Sequence, residues 1–191
     1  MSAQPGGRSP APPHLAPLQD LLNTVNLESG EDALGAGGFR VWCAVHGARD
    51  ATEADRVRLV TLREDLRAWV ADHGDAVPAP VAAGVAEAAL VVGVVDDELV
   101  TTSSTPLGRL VADVVEGVRT ARHDGSWARL KVCAKDGCRW AFYDHSRNNS
   151  SRWCASSICG AREKSRRAYR RRTGGRAAPG AGGLAGSLGP A

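Results

Sequence analysis

Residues 131–172 read KVCAKDGCRWAFYDHSRNNSSRWCASSICGAREKSRRAYRRR, and the four cysteines in this stretch decide how that part of the chain folds. Cys133 and Cys138 have four residues between them, Cys154 and Cys159 another four, and fifteen residues separate the pairs. Zinc favours four thiolates in a tetrahedron, and two short-range pairs joined by a longer loop supply them with little loop-closure cost. A segment of about 40 residues with so little apolar mass is marginal alone, and a structural metal contributes its folding energy outright. The spacing therefore predicts one structural Zn2+ held by Cys133, Cys138, Cys154 and Cys159, with no open position for a reactive water. Two disulfides or four unrelated thiols are the alternatives, and His145 is an alternative ligand that four thiolates make unnecessary. Cys43, between Trp42 and Ala44, reads as a plain buried residue.

Around the first pair, Lys131-Val132 leads in as a strand, Asp136-Gly137 turns, and residues 139–143 leave as the second strand. After the second pair, AREKSRRAYRRR holds strong helix formers and lacks Gly and Pro until Gly174. A hairpin knuckle followed by a ligand at a helix start is a treble-clef-like arrangement. On that helix Arg162, Arg166 and Arg170 stack in one row, Arg167 and Arg171 join Glu163 in the next, and Lys164 lies near Arg171. Seven cations within residues 162–172 exceed what solubility requires and suit a phosphate backbone. Arg139, Arg147 and Arg152 between the pairs add candidate phosphate contacts, with Ser146, Asn148, Asn149, Ser150 and Ser151 as neutral donors. Trp140, Tyr143 and Trp153 beside a small metal core read as packing, stacking of Trp140 and Tyr143 on bases being the alternative.

These residues carry a resemblance. Trp153-Cys154-x4-Cys159-Gly160-x-Arg162, the upstream Cys-x4-Cys, and Phe142-x-Asp144-x-Ser146 resemble the CGNR zinc-finger family. The motif naming that family stands here as Cys159-Gly160-Ala161-Arg162, with Ala161 in place of the Asn. The family places this finger after a mostly helical ABATE domain of bacterial, stress-induced transcription regulators, and LLNTVNLESGEDAL (21–34) is similar to the start of that domain. The resemblance implies DNA over RNA as the partner and a location in the cytoplasm at the nucleoid.

Outward from the finger, the chain of 191 residues carries a net charge of +3 that hides a split. Residues 131–172 hold twelve Lys/Arg against three acids, a net +9, leaving −6 on the rest. An acidic body with a basic module points to a polyanion partner. No run approaches 18 apolar residues, which excludes a membrane span, and the N-terminus has no apolar signal region, so a reducing cytosol is expected. Residues 1–14 and 173–191, rich in Gly, Ala and Pro, are expected to be disordered. Between them the pattern predicts a helical body at 15–125 and the finger at 127–172, and the resemblance implies that the body is regulatory, sensing or forming a homodimer. Within the body, helices are expected near 17–27, at 53–73 with Thr52 as N-cap, from Pro80, and near 106–122. GFRVWCAVHG (38–47) suits a helix or a strand, and VVGVV with ELVTT suits a small hairpin. The fold class is thus mainly α with small β elements.

No nucleophile elbow, P-loop, dinucleotide fingerprint or HExxH is present, so no enzyme is expected. The leading function is a DNA-binding transcription regulator. The alternatives are an RNA-binding protein, a zinc-thiolate redox switch whose oxidation ejects the metal, and a protein-interaction module.

Overall fold

The computed structural model describes residues 4–174. Among them, α1 (Ala16–Leu22), α2 (Phe39–Val45), α3 (Glu53–Asp72), α4 (Ala79–Ala86), α5 (Pro106–Asp124) and α6 (Ala161–Gly174) alternate with three antiparallel two-stranded sheets. The sheets pair β1 (Val25–Asn26) with β2 (Glu31–Asp32), β3 (Val91–Val95) with β4 (Glu98–Thr102), and β5 (Leu130–Val132) with β6 (Ala141–Tyr143). The protein is mostly helical with small strands, as its sequence predicts. No helix of the described residues is long and apolar enough to cross a membrane.

The long helices start where their caps dictate. Thr52 and Asp55 form a capping box on α3, with Thr52 N donating to Asp55 Oδ2 at 2.8 Å and Asp55 N to Thr52 Oγ1 at 3.3 Å. Thr105 Oγ1 accepts from Gly108 N at 3.0 Å to open α5, and Gly125, at φ 79°, closes it. Within 38–47 the chain forms a helix, α2, over Phe39–Val45. The β3–β4 hairpin forms as expected, turning through Asp96 and Asp97, both with positive φ.

The body's core lies between α1, α3 and α5, around the buried Leu18, Leu22, Leu59, Leu66, Val70 and Val114. Three expectations need correction. The first helix ends at Leu22 rather than near 27, because Asn23 and Thr24 turn the chain into the β1–β2 hairpin and Asn23 spends its side chain elsewhere. Residues 4–14, expected to lack structure, lie across the molecule as a strap anchored by Leu15 in the core and by polar contacts to the finger. The strap crosses α5 at Gly117, where a Cβ would collide with His14 O. The body and finger, expected to meet at 125–127, share one core: Trp127, Leu130, Ala141 and Tyr143 pack with the body's leucines, and Trp127 lies 4.8 Å from the Trp69 ring. Of the tail expected from 173, residues 173 and 174 close α6 and 175–191 lie outside the described residues.

Candidate metal centre

β5 and β6 build a knuckle in the register Lys131↔Phe142, with Cys133 just beyond β5. Gly137, at φ 76°, reverses the chain, and Cys138 N donates to Lys135 O at 3.0 Å, so the second cysteine faces the first. Arg139 takes a left-handed φ of 49°; for that reason the second strand, expected from 139, begins at Ala141. Cys154 closes the loop that follows β6. One wide turn, Ser156–Gly160, then carries Cys159, and the amides of Cys159 and Gly160 both donate to Ala155 O, at 2.9 and 3.2 Å. α6 continues directly from this turn. Gly160 lies where a Cβ would stand 3.1 Å from Trp153 Cδ1, so a larger residue would press on the indole that packs against the cysteines.

The four sulfurs lie within 4.8 Å of one another and all four cysteines are buried. Cys154 stands 3.7 Å from Cys138 and 3.6 Å from Cys159, and Cys159 stands 3.7 Å from Cys138. Zn–S bonds of about 2.3 Å in a tetrahedron place sulfurs about 3.8 Å apart. The donor set therefore fits one structural Zn2+ held by Cys133, Cys138, Cys154 and Cys159. None of them is disulfide-bonded. The amides of Cys154 and Lys135 face the Cys133 sulfur, and the Trp140 amide faces that of Cys138, giving the thiolates donors besides the metal. Hydrogen bonds from Cys138 and Cys154 pull the Cys133 thiol down, while the same bonds push those two up. Closely set thiols resist losing their protons together unless a cation balances the charge. Cys43 is buried in the body, and burial raises its thiol, as the plain-packing reading expects. His145 is exposed, bonded to Pro10 O at 3.0 Å and outside the sulfur cluster.

Asp144 organises the loop between the pairs. It is fully buried and accepts from Lys131 Nζ at 2.8 Å, Ser146 N at 2.9 Å, Ser151 N at 2.7 Å and Ser151 Oγ at 2.8 Å. Burial alone would raise its pKa; the bonds from Lys131, Ser146 and Ser151 outweigh it and hold the carboxyl well below the usual carboxylate range. Lys131 Nζ also donates to Asn149 O, at 2.6 Å, and Asn149 Nδ2 to Ala128 O at 3.2 Å. Ser146, Asn149 and Ser151, expected as neutral donors to nucleic acid, are instead used inside the loop. Phe142-x-Asp144-x-Ser146 is thus structural, with Phe142 buried against the cysteines.

The basic residues divide in the same way. Arg162 bonds Glu28 at 3.0 and 3.2 Å, Lys135 pairs with the same carboxylate, and their donors hold Glu28 below its ordinary pKa. Arg166 lies 3.4 Å from Asp136, and Arg167 lies 3.3 Å from Glu163. Arg152 sits over the Trp153 ring at 5.6 Å. Arg139, Arg147, Lys164, Arg170 and Arg171 are exposed. Tyr143 is buried in the body's core, and Trp140 packs on the cysteine cluster with Nε1 donating to Gln4 Oε1 at 3.4 Å, so both serve packing.

The residues that join finger to body escaped the sequence reading. Arg8 donates to Cys154 O at 2.9 Å, Trp153 O at 3.2 Å and Tyr143 O at 3.3 Å, with its guanidinium 4.8 Å above the Phe142 ring. Asn23 brackets Ala141 like an extra strand, accepting from its N at 2.8 Å and donating to its O at 2.9 Å. Arg67, only 2% exposed, donates to Arg139 O at 2.8 Å and also to Leu22 O. Arg63 forks onto Asp32 at 2.7 and 3.0 Å, fixing the hairpin whose Glu28 reaches the finger. A faint signal existed, since Asn23, Glu28 and Asp32 all fall within LLNTVNLESGEDAL.

Residues 129–172 match the CGNR zinc finger family. A comparison with curated proteins finds no match.

Proposed function

We propose that this protein, carrying a CGNR zinc finger, is a transcription regulator that binds DNA through the finger and its basic helix α6. The observation that carries the reading is an exposed helix with seven Lys/Arg in residues 162–172, fixed to a zinc ligand through Gly160. The metal's task in this reading is to set the helix's direction. Arg139, Arg147, Arg152, Arg162, Lys164, Arg166, Arg167, Arg170 and Arg171 are its candidate phosphate contacts. Lys164 and Arg171 support it most directly, having no ion pair among the described residues. The hairpin whose turn holds the first two ligands and the helix after the last support a treble-clef-like description. The helical, ABATE-like N-terminal part has the sensing or dimerising role, and the protein acts in the cytoplasm as a binding protein rather than an enzyme.

The test is fluorescence anisotropy with random duplex DNA across a salt series. Replacing Arg166, Arg167, Arg170 and Arg171 by Ala should keep one zinc per chain and weaken binding. The slope of log affinity against log salt should flatten by up to roughly 3.6, at about 0.9 per lost phosphate contact. Unchanged affinity would remove α6 from the interface, and tighter binding to single-stranded RNA than to duplex DNA would move the assignment to RNA.

A further inference from the structure

The β3–β4 hairpin carries an apolar surface that the body leaves uncovered. β4 lies against α5, so β3 is the outer strand, and among the described residues no third strand pairs with it. Val92, Val94 and Leu99 are 71%, 68% and 78% exposed, and Val91 and Val95 are exposed on the opposite face. An outer strand of this kind normally bears a charge, a Pro or a bulge against unwanted pairing. VVGVV has none of these.

We infer that β3 is the dimer interface, pairing antiparallel with β3 of a second copy about a two-fold axis at Gly93. The backbone register carries this inference. Val95 and Glu98 flank a two-residue turn and so exchange hydrogen bonds with each other. Alternation along the ladder then makes Gly93–Val100 and Val91–Thr102 the other bonded pairs. The N–H and C=O groups of Val92 and Val94 consequently point outward, away from β4. VVGVV reads the same in both directions, so an axis at Gly93 sets Val92 opposite Val94 of the second copy, and the reverse. All four outward N–H groups then meet outward carbonyls, as a self-complementary two-fold interface requires. At the axis the two Gly93 residues form the closer, unbonded pair, where the absence of side chains lets the backbones approach. Within the hairpin Val94 faces Leu99, so each row across the four strands runs Leu99, Val94, Val92 and Thr101, the last two from the second copy.

Charge selects the same arrangement. Asp96, Asp97 and Glu98 form an acidic tip. Antiparallel pairing about Gly93 sets the two tips roughly 24 Å apart, at about 3.4 Å per residue, beyond the screening length of about 8 Å. Parallel pairing would set them about 5 Å apart. A five-residue edge buries less than the roughly 1,600 Å² of a standard interface, so the dimer should dissociate on dilution, with a Kd on the order of micromolar.

This deepens the dimerising role proposed above and is independent of what the finger binds. The test is sedimentation equilibrium of the full, zinc-loaded chain from about 1 to 100 μM. Wild type, Val94→Pro and the double variant Val92→Lys/Val94→Lys are compared. Proline at 94 removes an outward N–H and leaves the bonds to β4 untouched; the lysine pair keeps every backbone group and adds charge to the edge. We expect a reversible wild-type dimer, association weakened at least tenfold in both variants, and one zinc per chain throughout. A wild-type dimer unchanged by either variant would overturn the β3 interface and leave dimerisation standing. A monomer at every concentration would overturn both.

Discussion

The body's core is built from Leu18, Leu22, Leu59, Leu66 and Val70 with their neighbours, whereas the finger's own core is four cysteines around Phe142 and Ala155. In the first, stability is spread over many side chains, each replaceable at limited cost. In the second it is concentrated in one ion and the few polar bonds that aim its ligands. The two are not separate bodies, because β5 and β6 contribute Leu130, Ala141 and Tyr143 to the leucine core while Phe142, on the other face of β6, and Cys133, just beyond β5, belong to the cysteine cluster. The knuckle therefore belongs to both cores. A loss at the metal should be steep and local, and a loss in the leucine core graded and shared.

Metal removal is the harshest way to break this comparison. Chelation, or Cys159→Ser, should forfeit on the order of 10 kcal/mol of metal-binding energy and unfold residues 144–172, while α3 and α5 stay helical. Amide hydrogen exchange followed with zinc content checks this, and protection of 151–159 in the metal-free chain would show that the finger does not depend on its ion. Leu18→Ala probes the other core. It should cost about 2–5 kcal/mol in urea unfolding yet leave one zinc per chain.

Asp144→Asn sharpens the comparison at its smallest scale, since it touches neither a ligand nor a leucine. Removing the charge that Lys131 and Ser151 face should cost about 1–3 kcal/mol. Asp144's folded pKa is depressed, so its contribution is complete above the ordinary value of about 3.9 and is lost as pH falls through the folded value. The wild-type advantage over the variant should therefore stay constant from pH 8 to about pH 5 in urea titrations. A difference that shrinks within that window would assign the stabilisation to another group.

What could be read from the sequence follows how far each determinant acts along the chain. Thr52 as the N-cap of α3 and the VVGVV–ELVTT hairpin rest on signals that act over a few residues, and the structure has them as read. The cysteine pairs were legible because metal chemistry restricts the spacings that work. The strap, the shortened α1 and the merged core were not. They depend on Arg8 reaching carbonyls up to 146 residues away and Asn23 reaching Ala141 across 118. Local pattern sees Pro/Gly-rich chain in the first case and a continuing helix in the second. Ser146 and Ser151 misled for a related reason: a hydroxyl looks equally suited to a phosphate and to a buried carboxylate until the loop has closed around Asp144.

The strap also orders events during synthesis. Arg8 leaves the ribosome well before the carbonyls it binds, which belong to Tyr143, Trp153 and Cys154. The helical body can collapse in the meantime and take Leu15 into its core, but Arg8 lacks the carbonyls of Trp153 and Cys154 until the second cysteine pair has been translated. The bonds from Arg8 to the finger are thus completed only after the chain around Cys154 has been made.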